Sequence, residues 1–152
     1  MLANKTKYAI KAMICLAREH GRGPQLISSL AQREQLPQKF LEAILLELRN
    51  AGWLESKKGR GGGYQILQSP RNITLGDIVR LMEGPLAPLA CVSQTAYQRC
   101  ADCADELTCG LRMVMRGVRD ETARILDGTT LQDVIEQEDR ARQRTGAVMF
   151  QI

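Results

Sequence analysis

Histidine is nearly absent from this chain: His20 is the only one in 152 residues. That excludes histidine-based ligand sets and leaves Cys–His catalysis a single candidate, in the first predicted helix and remote in sequence from the clustered cysteines. Aromatic residues are also sparse, at 4% with one Trp. No apolar run approaches the ~20 residues of a membrane-spanning helix, so no membrane partner is expected. The opening MLANKTKYAIKAM lacks the apolar stretch and small-residue cleavage site of a secretory signal. No Gly-Lys-Ser/Thr opens a helix, so a P-loop is excluded. No βαβ unit surrounds a Cys-x-x-Cys, which removes a thioredoxin-like oxidoreductase. Internal repeats and low-complexity segments are missing too. What remains is a cytoplasmic, non-enzymatic globular chain with 44% apolar and 25% charged residues.

Cysteine, in contrast, is crowded. Four of the five cysteines, Cys91, Cys100, Cys103 and Cys109, fall within CVSQTAYQRCADCADELTC. In a cytoplasmic protein such crowding points to metal binding or redox chemistry rather than structural disulfides. Four thiolates can hold an iron–sulfur cluster or tetrahedral zinc, or can exchange disulfides. For the last, Cys100-x-x-Cys103 is the expected pair. The fifth, Cys15, lies inside a predicted helix and reads as a small buried apolar residue.

Charge is divided along the chain. Residues 1–83 carry 13 Lys/Arg against 7 Asp/Glu, and residues 84–152 carry 8 against 10. The first part is the one able to meet a polyanion. It opens with a predicted helix over 4–20, capped by Asn4 or Thr6, with apolar residues at three- and four-residue spacing from Tyr8 to Ala17. A second helix is predicted over 28–35, capped by Ser28 and broken at Leu36-Pro37. A third runs over 38–50, with Leu41, Ile44, Leu45 and Leu48 as its buried stripe. Helix, short turn, helix is the helix-turn-helix arrangement, whose second helix enters the major groove. Its leading residues here are Gln38, Lys39 and Glu42, able to pair with adenine, with guanine or phosphate, and with cytosine N4. WLESKKGRGGGYQIL then reads as strand, turn and strand. Its turn interleaves Lys57, Lys58 and Arg60 with Gly59, Gly61, Gly62 and Gly63, supplying cations and close backbone approach to phosphate. A helix-turn-helix followed by a basic, glycine-rich hairpin is a winged helix.

A further helix is predicted after Thr74, with Thr74 and Asp77 as a short capping box, ending at Gly84-Pro85. Beyond the cysteines a long helix is predicted over 106–126. Leu111, Val114, Met115, Val118, Thr122 and Ile125 recur along it at seam spacing, predicting a homodimerisation helix. Thr129 or Thr130 caps a last helix beginning LQDVIEQEDRARQ, and the tail from Arg144 is uninformative. The expected fold is therefore mainly α: a winged helix-turn-helix DNA-binding domain with a two-stranded wing over 1–84, a cysteine-rich sensory loop over 85–110, and a long dimerisation helix with a C-terminal helix over 106–152.

The run LPQKFLEAILLELRNAGWLESKKGRGGGYQIL, with TKYAIKAMICLA before it and ITLGDIVRLMEG after it, resembles the IscR/NsrR-type (Rrf-two) regulators over residues 1–135. This resemblance implies a dimeric bacterial transcription regulator that binds a double-stranded DNA operator, with a 2Fe–2S or 4Fe–4S cluster setting its DNA affinity. It places Gln38, Lys39 and Glu42 on the recognition helix and Arg60, Gly61 and Gly62 on the wing. Cys103 and Cys109 match two of the family's cysteines. Tyr97 stands where another usually lies, and Arg112 and Lys7 stand near positions of the usual fourth ligands. Cys91 and Cys100 are the departures, and with them a ligand set of Cys91, Cys100, Cys103 and Cys109 is implied; zinc or no cofactor is the alternative. In this reading the loop 86–108 lies between the helix 74–83 and the long helix 106–126, and its state sets the spacing of the recognition helices.

Overall fold

The computed structural model describes residues 2–149. Six α-helices and one hairpin follow in order: α1 Asn4–Arg18, α2 Ile27–Glu34, α3 Gln38–Asn50, β1 Leu54–Lys57, β2 Gly63–Ile66, α4 Leu75–Glu83, α5 Gly110–Asp127 and α6 Leu131–Met149. Short 3₁₀ turns occupy Pro70–Asn72 and Ala90–Val92. The chain forms two compact units, residues 1–73 with 130–152, and residues 74–129. So α4 groups with the cysteine segment and α6 with the N-terminal helices, a division unlike the linear one expected from the sequence.

In the first unit, α1 buries Ala9, Ala12, Met13 and Leu16, and α3 buries Leu41, Ile44, Leu45 and Leu48 on its predicted stripe. Leu30 of α2, Leu54 and Ile66 of the hairpin and Leu131 of α6 complete this core. Two caps differ from expectation. Helix α1 starts after Ala3 and α2 after Leu26, neither with a side-chain cap, so Asn4, Thr6 and Ser28 lie within first turns instead. Helix α6 packs on α1, where Arg18 donates to Glu138 at 2.6 Å and Asp139 at 2.9 Å. It starts at Thr130, whose hydroxyl and N–H exchange hydrogen bonds with Asp133, and it continues through the supposedly uninformative tail to Met149.

The hairpin is antiparallel, with Leu54 opposite Ile66 and Lys57 opposite Gly63. Its second strand is tied to the segment before α2: Gln25 N–H donates to Tyr64 O at 2.7 Å, and Tyr64 N–H donates to Gln25 O at 2.9 Å. That approach demands glycine at 63. Its φ is +139°, and a Cβ there would lie 2.1 Å from Gln25 O.

In the second unit, Thr74 and Asp77 form the predicted capping box at the start of α4. Helix α4 packs directly on α5. Arg80 donates to both carboxylate oxygens of Asp127, at 2.6 and 2.8 Å, and holds that carboxyl below the ordinary carboxylate range. Gly76 leaves room for this pair, since a Cβ would fall 1.9 Å from Asp127 Oδ1. The start of the cysteine segment reaches both helices, since Leu86, Ala87 and residues 93–95 line one cavity with Arg80 of α4 and Arg119 and Ala123 of α5. Its 3₁₀ turn lies against α5, with Arg112 donating to Cys91 O and Arg119 to Val92 O.

Helix α5 begins four residues later than the sequence predicts. Asp105 accepts from Leu107 N–H at 2.9 Å and from Thr108 Oγ1 at 3.0 Å, which spends the carboxylate on a turn before the helix. No helix among the described residues is long and apolar enough to cross a membrane.

Replacing Gly63 by Ala is expected to cost at least ~2 kcal/mol, the scale of one strained backbone residue. Thermal unfolding should show it as a fall in Tm of roughly 4–8 °C for a chain of this size. An unchanged Tm would mean that the wing is not held by the Gln25–Tyr64 pairing.

Candidate nucleic-acid interface and cysteine cavity

The basic groove arises from three local features. Helix α3 begins directly after Pro37, a residue with fixed φ that suits a helix start, and this puts Gln38 in the first turn. The uncapped start of α2 presents Ser28. The hairpin folds back so that Lys57 and Lys58 stand opposite both. Together Ser28, Gln38, Arg49, Ser56, Lys57, Lys58, Gly62 and Tyr64 line one open groove of about 430 Å³. Every charged residue lining it is a cation. Such a groove follows a polyanion backbone through counterion release.

Not all the sequence candidates meet there. Lys39 and Glu42 are exposed on α3 outside the groove wall, with Gln38 Nε2 donating to Glu42 Oε1 at 3.2 Å along the same helix face. Arg60 and Gly61 are exposed at the wing tip. Gly62 is different: it is buried, its N–H donates to Gly59 O at 3.0 Å, and a Cβ would lie 2.2 Å from Lys57 O. It closes the turn and has no N–H left for a phosphate. Arg49 is the residue that the sequence reading missed. It sits in the last turn of α3, reads locally as a helix-end cation, and reaches the groove because the chain reverses at Gly52. Its guanidinium donates to Ser56 Oγ at 3.2 Å, which aims it along the wing.

The second site lies in the other unit. Cys91, Cys100, Cys103 and Cys109 all line one small cavity with Leu89, Glu106, Leu111 and Arg112. Cys109 is the N-cap of α5, and its Sγ accepts from Arg112 N–H at 3.5 Å. The Arg112 side chain donates through Nε to Cys91 O at 3.2 Å, so one residue of α5 touches both ends of the cysteine segment. Cys103 N–H donates to Cys100 O at 3.4 Å in a tight turn. Desolvation, then a hydrogen bond with Cys109 and the nearby Cys109 and Cys100 charges, push the Cys103 thiol up. Tyr97 donates its hydroxyl to the Glu106 carboxylate at 2.7 Å, fixing the one acidic group in the cavity wall. Cys15 is outside this set, buried in α1, with Arg33 Nη1 donating to its sulfur at 3.8 Å.

The donor set fits iron–sulfur or zinc chemistry in kind, being four sulfurs around one cavity. Among the described residues, however, no three His, Cys, Asp or Glu side chains converge as ligands of one metal ion.

Helix α5 buries no residue fully. Arg112, Met115, Arg119, Ala123 and Leu126 are its half-buried side. Leu111, Val114, Val118, Thr122 and Ile125 stand exposed on the other, Leu111 and Val114 at 60% and 62%. Met115, predicted with that seam, thus faces its own unit.

Fold and groove together define a winged helix-turn-helix protein of the DNA-binding class. The family model described as "Rrf2: Iron-dependent Transcriptional regulator" matches residues 2–137, and the chain belongs to the Rrf2 family. An rrf2-like HTH-type regulator of Rhodobacter capsulatus is 44% identical over 138 residues, covering 89% of this chain and 92% of that one. The structure of CymR, the global cysteine regulator of Bacillus subtilis, matches with a TM-score of 0.76 at 34% identity, over 90% of this chain and 97% of that one. T. potens IscR matches with a TM-score of 0.74 at 29% identity, over 93% and 90%.

Lys58→Ala and Arg49→Ala should each weaken binding to any duplex and lower the slope of log affinity against log salt by about 1. Gln38→Ala should instead alter base preference. Fluorescence anisotropy over a salt series checks both, and slopes equal to that of the parent would remove these cations from the DNA contact.

Proposed function

We propose that this chain is a homodimeric regulator whose affinity for a DNA operator is set at the four-cysteine cavity, with an iron–sulfur cluster held by Cys91, Cys100, Cys103 and Cys109. The observation that carries this reading is that all four cysteines line one cavity beside the N-terminus of α5. The iron-dependent description of the family supports iron over zinc. When bound, such a cluster supplies a redox-labile, thiolate-ligated group whose state can change with oxidants or iron supply.

The chain's own residues couple that site to its surroundings. Cys109 both lines the cavity and caps α5. Arg112 holds Cys109 Sγ through its backbone and Cys91 O through its side chain. A change in sulfur position is therefore felt first in the opening turn of α5. The exposed apolar residues Leu111, Val114, Val118 and Ile125 begin in that same turn and supply the surface for a second copy. Two copies carry two recognition helices, whose spacing must match half-sites about one helical turn apart. Ser28, Gln38, Lys39 and Glu42 then meet bases and backbone, while Lys57, Lys58, Arg60 and Gly61 meet phosphates along the wing.

Anaerobically purified protein should show visible charge-transfer absorption and near-equal iron and sulfide. A colourless, zinc-loaded protein would replace the cluster with zinc. Cluster-loaded and cluster-free protein should differ in operator affinity, and equal affinities across a salt series would end the sensing role.

Val118→Asp should convert the dimer to monomer in sedimentation equilibrium. It should lower operator affinity by about 100-fold, the low end of what a second linked contact contributes. A variant that stays dimeric would move the interface off this face of α5.

A further inference from the structure

Helix α3 has a buried side, a flank toward the wing and an outward ridge. Leu41, Ile44, Leu45 and Leu48 make the buried side. Gln38 and Arg49 lie on the flank and line the groove. At about 100° of rotation per residue, the line opposite the buried side runs through Lys39, Ala43, Leu46 and Asn50. All four are exposed. The two ends of this ridge are polar, but its middle is not: Leu46 is 42% exposed, with Ala43 one turn before it. Phe40, the other large apolar residue that α3 exposes, has its ring edge-on against Tyr8 at 5.6 Å. Glu42 is drawn to the wing side, where its carboxylate accepts from Gln38 Nε2 at 3.2 Å. The hydrogen-bonding side chains near the start of α3 thus gather on the flank, and the centre of the outward ridge offers methyl groups.

We propose that Ala43 and Leu46 read thymine C5-methyl groups on the floor of the major groove, and so determine base preference where the middle of α3 meets the operator. The inference rests on reading α3 and the wing as the DNA-binding surface. Lys39 and the cations of the groove hold phosphates on either side of the helix, which brings the ridge between them to the base edges. That floor is lined by donors and acceptors, and the thymine methyl is its one apolar group. A donor or acceptor covered by Leu46 loses water and gains no partner, which costs affinity. A methyl in the same place removes apolar surface from water on both sides of the contact. Ala43 and Leu46 are about 4.5 Å apart along the helix axis, near the ~3.4 Å step between base pairs, so the two methyls belong to adjacent pairs. Neither residue is charged, so both act on base preference and not on salt dependence.

The test uses the full-length protein and duplexes that it enriches from a random-sequence library. Each thymine of the enriched half-site is replaced in turn by deoxyuridine, which lacks only the methyl group. Fluorescence anisotropy should show binding weakened about fourfold per half-site, the worth of one buried methyl group, at two adjacent base pairs and at no others. Ala43→Gly and Leu46→Ala should each abolish the thymine-over-uracil ratio at one of those pairs and keep it at the other, with the salt slope of the parent. The ratio compares two duplexes on one protein, so a variant that is merely less stable leaves it unchanged. Gln38→Ala should leave both ratios as they are. The absence of a deoxyuridine penalty at every thymine would overturn the proposal on the unaltered chain. Ratios that persist in both variants, or that vanish in Gln38→Ala, would overturn it as well. Enriched duplexes that bind without regard to the methyl groups remove this inference alone, whereas a library that yields no enriched duplex removes the DNA-binding reading beneath it too.

Discussion

Two reciprocal backbone hydrogen bonds, between Gln25 and Tyr64, fix where the wing stands, and they exist only because residue 63 has no side chain. Free of this tie, a two-stranded hairpin is marginal in water and would add its cations to no defined surface. Tied at its base, it sets Lys57 and Lys58 across from Ser28 and Gln38, and Arg49 is drawn to its side through Ser56. The groove is thus a consequence of backbone geometry first and of charge second. Gly62 acts in the same way one residue earlier, since it closes the turn against Lys57 O and Gly59 O.

The unit of residues 74–129 is organised differently. It buries few large side chains, and arginines take over part of the work of packing. Arg112 and Arg119 donate to the carbonyls of Cys91 and Val92, and Arg80 grips Asp127. Charge-assisted bonds of this kind are directional, which suits a segment with little periodic structure. Most of them converge on α5, which holds the 3₁₀ turn of the cysteine segment against that helix.

How much of this was legible in the sequence depended on whether the determinant was local. The winged fold, the bounds and buried stripe of α3, the hairpin and the Thr74–Asp77 capping box follow from periodicity, a proline, glycines and a three-residue spacing, and all are present as read. The caps of α1 and α2 were misread because Asn4, Thr6 and Ser28 are good cap residues in isolation, whereas tertiary packing started both helices without them. The start of α5 was misread because Glu106 and Leu107 fit a helix, while Asp105 and Tyr97 bind their neighbours in a turn. Arg49 in the groove and α6 against α1 depend on contacts that spacing does not encode.

The placement of α5 also bears on how a local chemical event could travel. Its first turn holds Cys109 as cap, Arg112 as the link to Cys91, and Leu111 and Met113 as the first exposed apolar residues. Leu111 lines the cysteine cavity as well. The proposed sensor site and the proposed dimer face therefore meet at the start of one helix, and no long relay of contacts is needed between them. A helix end is also a suitable element to bias. Losing one cap costs about 1 kcal/mol, a modest change that a dimer carrying two such ends applies twice. In the proposed coupling, ~1 kcal/mol at one end and ~2 kcal/mol at two would change operator affinity about fivefold and about thirtyfold without unfolding either unit.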